Sequence, residues 1–198
     1  MLALAALVAT GCATTSAHPA GLTATRQVYI TPVRPDGSQV SSFAATSVAA
    51  RASCIPGSEA IGQAYRCFAG NHIYDPCWAV KTAAPTVLCL EYPWSVTAAR
   101  LSVTGQLSPI PYQGGIGEPW GVELADGRRC VLLQGAHPVY DGRIVDYYCS
   151  PQLFLLRGLA KTSPVWRASS VIQRAGKTAA GPVEQIQIAW FGRADTFR

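Results

Sequence analysis

A chain of 198 residues with 49% hydrophobic and only 14% charged side chains has the material for one domain with a sizeable core, and its composition is not that of a disordered protein. The net charge of +5 arises from Ser150 onward, where seven basic residues face two acidic ones. No nucleic-acid-binding motif accompanies that charge, which leaves anionic head groups, an anionic wall polymer or plain solvent as what the basic segment meets.

The chain opens on an apolar run, Leu2 to Val8. It is far shorter than the roughly 20 residues of a membrane-spanning helix and suits the core of a signal peptide. Leu7-Val8-Ala9-Thr10-Gly11-Cys12 resembles the lipobox of bacterial lipoproteins. That resemblance implies cleavage after residue 11 and a diacylglycerol on the Cys12 sulfur, which makes the membrane a partner through the N-terminal lipid. No Lys or Arg precedes the run, a departure from the usual signal, and a fully secreted form cut near Ala17-His18 is the alternative. Residues 12–27 are rich in Ala, Thr, Ser, Gly and Pro and read as a flexible tether.

A single β-rich domain is expected over residues 28–192, with 193–198 as a tail. A first extended piece, Gln27 to Val33, ends in the turn Pro35-Asp36-Gly37-Ser38. Cys54-Ile55-Pro56-Gly57-Ser58 is a second turn. Ser58 is placed to cap a short helix running to about Cys67, with Ile61, Ala64 and Tyr65 on one face. Asp75-Pro76 reads as a break. Strand signals follow at Thr86 to Leu90 and at Arg100 to Thr104, where Leu101 and Val103 share a face.

Residues 105–119 are a Gly- and Pro-rich loop without a dinucleotide-binding spacing. Trp120 to Leu133 is the clearest hairpin, turning at Asp126-Gly127, and Asp141-Gly142 marks another turn before Ile144 to Cys149. Further strands are expected at Phe154 to Leu159, Val165 to Gln173 and Val183 to Phe191, the last with Ile186, Ile188 and Trp190 facing one way. The fold class is mainly β: an antiparallel sandwich or a strongly twisted sheet, with at most one or two short helices, stapled by disulfides.

Cys54, Cys67, Cys77, Cys89, Cys130 and Cys149 make an even set in an oxidising compartment, so three disulfides are expected. Fifteen pairings are possible. The sequential set, Cys54–Cys67, Cys77–Cys89 and Cys130–Cys149, keeps each loop short. No two cysteines have zinc-ligand or Cys-x-x-Cys spacing, so neither a metal nor another cofactor is expected.

The segments Ala64-Tyr65-Arg66-Cys67-Phe68-Ala69-Gly70-Asn71 and Tyr74-Asp75-Pro76-Cys77-Trp78 resemble a group of actinobacterial secreted proteins and lipoproteins. The likeness continues through Glu91-Tyr92-Pro93-Trp94, Pro119 to Leu124, Gly127 to Cys130, Ser163 to Trp166 and Ala189-Trp190. It implies export and a cysteine framework, and it carries over no catalytic residue.

Candidate chemistry is thin. His72 and Asp75 form the best acid/base pair, against the plainer reading that Asp75 accepts backbone N–H bonds in a pinned loop. Glu118, Glu123, Asp126, Asp141 and Asp146 show no glycosidase-like pairing, and Asp126 and Asp141 belong to turns. Trp94 and Trp120, beside prolines in loops, are the candidates for an exposed aromatic surface that binds wall glycan, whereas Trp166 and Trp190 lie on strands and read as core. The expectation is a lipid-anchored, non-catalytic binding module of the cell envelope. An envelope hydrolase acting on glycan or peptide and a carrier of small apolar ligands are the alternatives.

Overall fold

The computed structural model describes residues 21–110, 118–149 and 152–193. Cys12, the signal segment and the first part of the tether lie outside the described residues, as do residues 194–198.

Fourteen strands and no helix occur among the described residues. In the first half these are β1 (Arg26–Ile30), β2 (Ala44–Ser47), β3 (Ser53–Pro56), β4 (Tyr65–Ala69), β5 (His72–Val80), β6 (Thr86–Cys89) and β7 (Thr97–Ser102). In the second half they are β8 (Gly121–Leu124), β9 (Arg129–Leu132), β10 (Val139–Tyr140), β11 (Arg143–Cys149), β12 (Leu153–Leu156), β13 (Trp166–Arg174) and β14 (Lys177–Gly192).

The second half closes on itself. β8, β9, β11, β12, β13 and β14 pair in that order, and β14 returns to β8, which makes a six-stranded antiparallel barrel. The first half forms a six-stranded sheet ordered β2-β7-β6-β5-β4-β3. A bridge between Ala52, just before β3, and Val103, just after β7, ties the β3 edge back to β7. Two strand pairs are parallel, β1 with β14 and β2 with β7.

β14 is long enough to serve both β13 and β1 along one edge. Thr25 makes the splice: its hydroxyl donates to the Ile186 carbonyl (2.6 Å) and accepts from the Trp166 N–H (2.8 Å). Strand structure therefore begins at Arg26, inside the segment expected to be a tether.

The two asparto-glycyl turns form as their chemistry requires. Gly127 has φ of 84°, and Asp141 and Gly142 have φ of 48° and 71°, the paired left-handed residues of a tight hairpin turn. In β14 a bulge between Ile186 and Ile188 changes the expected alternation. Ile186, Ala189 and Phe191 face the main core, while Trp190 is turned to the other side of the strand.

The helix expected after Ser58 is absent. Ser58 Oγ does accept from the N–H groups of Ala60 and Ile61 (both 3.0 Å), the bonding of a helix cap. The chain then closes a loop, with Gly57 and Ser58 N–H groups on the Ala64 carbonyl, and enters β4. Ile61 serves tertiary packing instead, lying where a Cβ on Gly192 would be. The break expected at Asp75-Pro76 is also absent. β5 runs through it, because a bulge sets both residues against Arg66 alone and spares Pro76 a ladder bond to β4.

The disulfides are Cys54–Cys67, Cys77–Cys89 and Cys130–Cys149, with Cα atoms 4.0, 4.0 and 4.1 Å apart. Each joins residues directly opposed on adjacent strands. The Cys67, Cys77 and Cys89 sulfurs lie within 4.8 Å of one another. That is the geometry of a metal cluster, but every one of these sulfurs is already bonded to another and offers no thiolate.

The main core fills the barrel with Trp120, Val122, Leu124, Tyr147, Leu153, Leu155 and Ile186, and extends to Trp78, Leu88 and Leu90 from the sheet. A smaller core holds the other face of the sheet, with Val87, Leu101, Val103 and the clustered disulfides.

Candidate functional site: an aromatic groove and a charge chain

The β6–β7 connection crosses the outside of the barrel. The Ser95 N–H bonds the Tyr92 carbonyl (3.0 Å), closing a four-residue turn with Pro93 at its second position, where the ring presets φ. This turn lays Trp94 over the barrel wall. Trp94 meets Trp190 edge to face (5.3 Å), and the Tyr92 ring is parallel to it (5.4 Å, 9°).

Gly121 makes this docking possible. A Cβ there would lie 2.6 Å from Pro93 Cγ and 3.2 Å from a Trp94 ring carbon. The Arg129 guanidinium lies over both indoles, 5.4 Å from Trp94 and 5.7 Å from Trp190. Glu123, opposite Arg129 in the ladder, holds its Nε at 2.8 Å. The cation is thus neutralised and its plane fixed as part of the aromatic surface.

Tyr92, Trp94, Gly127, Arg129, Val131 and Tyr148 line a groove of about 550 Å³. Tyr92 is 37% and Tyr148 43% exposed, so the rings are available to a ligand. Burial, then the charge and hydrogen bond of Glu91, push the Tyr92 phenol above its ordinary pKa. A smaller recess of about 220 Å³ shares Tyr92, Val131 and Tyr148 with the groove and continues it toward His72, Glu91 and Gln134.

The sequence candidates fare differently. Trp94 lies in the groove, but Trp120 is buried at 1% exposure. Its backbone already belongs to the ladders: its N–H bonds Trp190 and its carbonyl accepts from Leu132. Pro119 is therefore a strand entrance, and the indole packs against Trp78 between sheet and barrel (6.2 Å).

His72 and Asp75 lie three apart on β5. Both line the smaller recess, but their side chains take different partners. His72 is exposed against Tyr74 (4.3 Å). Asp75 is buried and accepts from Ser58 Oγ and from the Glu59 N–H (3.0 Å).

Asp75 ends a chain of charges that sequence reasoning did not find. Arg66 Nε stands 3.0 Å from Asp75 Oδ2, and Nη1 stands 2.7 Å from Glu59. The Nε–H is poorly aimed at Asp75 and Nη2 bonds none of the described residues, so Arg66 balances charge there more than it makes hydrogen bonds. Glu59 also faces His137 Nε2 at 3.6 Å. His137 Nδ1 lies 3.1 Å from Asp146, whose carboxylate takes the Arg157 Nε at 2.9 Å. Gln134 Nε2 donates to the Asp75 carbonyl.

Burial raises the Asp75 carboxyl above the ordinary aspartate pKa, against the lowering effects of Ser58, the Glu59 N–H and Arg66. Burial also acts to raise Glu59, but Arg66, the Gly135 N–H and His137 outweigh it and hold Glu59 below the ordinary glutamate value. The chain joins loop, β4 and β5 of the sheet to the 134–137 segment and β11 of the barrel. Its members come from separated segments with no common spacing, so no local motif could have revealed them.

No family model, no curated protein and no solved structure matches this chain.

Proposed function

We propose that this is an exported, lipid-anchored, non-catalytic module that binds cell-envelope glycan along the Tyr92–Trp94 groove. The observation that carries the reading is the pair of parallel rings at the rim of an open groove, backed by Arg129 and Trp190. Flat, partly exposed rings beside polar groups suit the C–H faces and hydroxyls of sugars. Three disulfides support an oxidising compartment. Among the described residues no helix is long and apolar enough to cross a membrane. In this reading the attachment is the lipid on Cys12.

A hydrolase would draw on His72 and Asp75, which do not meet, or on carboxylates that Arg66 and Arg157 already neutralise. One observation favours the apolar-ligand carrier as a second reading. A mainly apolar recess of about 280 Å³ lies beside the β10–β11 hairpin, lined by Tyr140, Val145, Phe154 and Val171 together with the polar Asp141 and Gln173.

The test is retention on purified wall glycan. Trp94→Ala is expected to lower affinity about tenfold, or ~1.4 kcal/mol, while Tyr140→Ala leaves it unchanged. Equal retention of wild type and Trp94→Ala defeats the reading. For the anchor, the intact mass of detergent-extracted protein should carry acyl mass at Cys12. A Cys12→Ser form that stays in the membrane fraction defeats lipidation.

A further inference from the structure

The groove is longer than one sugar. It follows β9 from Arg129, at the aromatic end, to Gln134 just past the strand, and both recesses share Val131. Five residues of extended chain cover about 16 Å at ~3.3 Å per residue, which exceeds one sugar ring and leaves room for the next along the chain. The two ends also differ in chemistry. Around Trp94 the surface is aromatic and its one cation is neutralised by Glu123. Beyond Tyr148 the lining is mainly aliphatic, with Ile73, Leu90 and Leu133, and carries two polar groups at its side, the exposed imidazole of His72 and the carboxylate of Glu91. The 220 Å³ recess shares Tyr92, Val131 and Tyr148 with the groove and fits a continuation of it.

We propose that the groove takes an extended oligosaccharide, one unit stacked on Trp94 and Tyr92 and a following unit hydrogen-bonded by His72 and Glu91 past Tyr148. This rests on the glycan-binding reading and adds a second subsite to it. Stacking on rings tolerates many sugars because it reads only their apolar faces. The acceptor of Glu91 and the donor and acceptor of His72 read hydroxyl or acetamido positions, so discrimination resides at the end that holds these two side chains.

The experiment is calorimetric titration of the whole protein with N-acetylglucosamine oligomers of one to six units. Wild type is expected to gain at least tenfold in affinity from the single sugar to the tetramer and to level off beyond it. His72→Ala, at an exposed position, should flatten that rise while single-sugar binding stays as in wild type. Trp94→Ala should weaken every length. A length dependence that survives His72→Ala overturns the second subsite and leaves the aromatic one standing. Equal affinity for one and six units does the same. No binding by any oligomer, or full binding by Trp94→Ala, overturns the glycan reading and this inference together.

Discussion

The barrel and the sheet solve the same problem by different means. A β-sheet must dispose of its edges and bury a face. The barrel removes its edges by hydrogen bonding, because β14 reaches from β13 back to β8, and a single disulfide crosses it. The sheet has mostly short strands, is tied from its β3 edge to β7 by the bridge of Ala52 to Val103, and encloses a smaller core. Two disulfides are packed into that core. Strand length and hydrogen bonds hold one region, and sulfur substitutes for them in the other.

Trp120→Ala should break both regions at once, since the indole fills the junction between them. Loss of a fully buried tryptophan costs about 3–5 kcal/mol, read by chemical denaturation. A loss confined to one of two resolved transitions would show that the junction is not shared.

Removing disulfides sharpens the contrast. Chain entropy alone predicts about 3 kcal/mol per link, slightly more for the longer loop. By that argument Cys130–Cys149, with a separation of 19, should matter more than Cys77–Cys89, with 12. The comparison of cores predicts the reverse order. Cys77→Ala/Cys89→Ala should lose more stability than Cys130→Ala/Cys149→Ala, with amide exchange rising first in β4 to β6. If the barrel pair loses more, entropy and not core size governs.

A smaller effect tests how the sheet's loop leans on the barrel. Gly121→Ala must push Pro93 and Trp94 outward, at about 1–3 kcal/mol for an overpacked site, and should weaken glycan retention as well. Unchanged retention would separate the Gly121 contact from the binding surface.

The smallest effect is electrostatic. Asp75 has a raised carboxyl pKa in the folded state, so its contribution to stability is complete below the ordinary aspartate value and is lost as pH rises through the folded value. Glu59, held low, has the opposite sign: its contribution is present above the ordinary glutamate value and lost as pH falls. The stability gap between wild type and Asp75→Asn should therefore narrow as pH rises from about 3 to about 7, followed by urea unfolding across that range. A gap that widens would reverse the assignment.

Much of the fold was legible in the sequence. Asp126-Gly127 and Asp141-Gly142 announce turns because few other pairs tolerate positive φ, and the alternation of apolar residues marks most of the barrel strands. The failures have specific causes. Ser58 offers the same oxygen to a turn as to a helix, so a cap signal could not tell which follows. The bulge after Ile186 adds one residue and reverses the faces of Ile188 and Trp190, which no periodicity reveals. Trp94 was legible as a groove residue, whereas Trp120 beside Pro119 looked the same and is core, because partners from β9 and β14 decide it. The charge chain from Asp75 to Arg157 was illegible, since it exists only after sheet and barrel meet.

The Thr25 splice bears on how the protein responds to tension. β1 lies parallel to the last part of β14, with five successive residues paired, and Thr25 ties its start to both β13 and β14. A pull along β1 from the N-terminal side meets those rungs in shear, all loaded together, instead of opening them one at a time as a zipper. If the leash runs to a lipid while the far side of the molecule grips a polymer, the seam that bears the force is the one built to slide least.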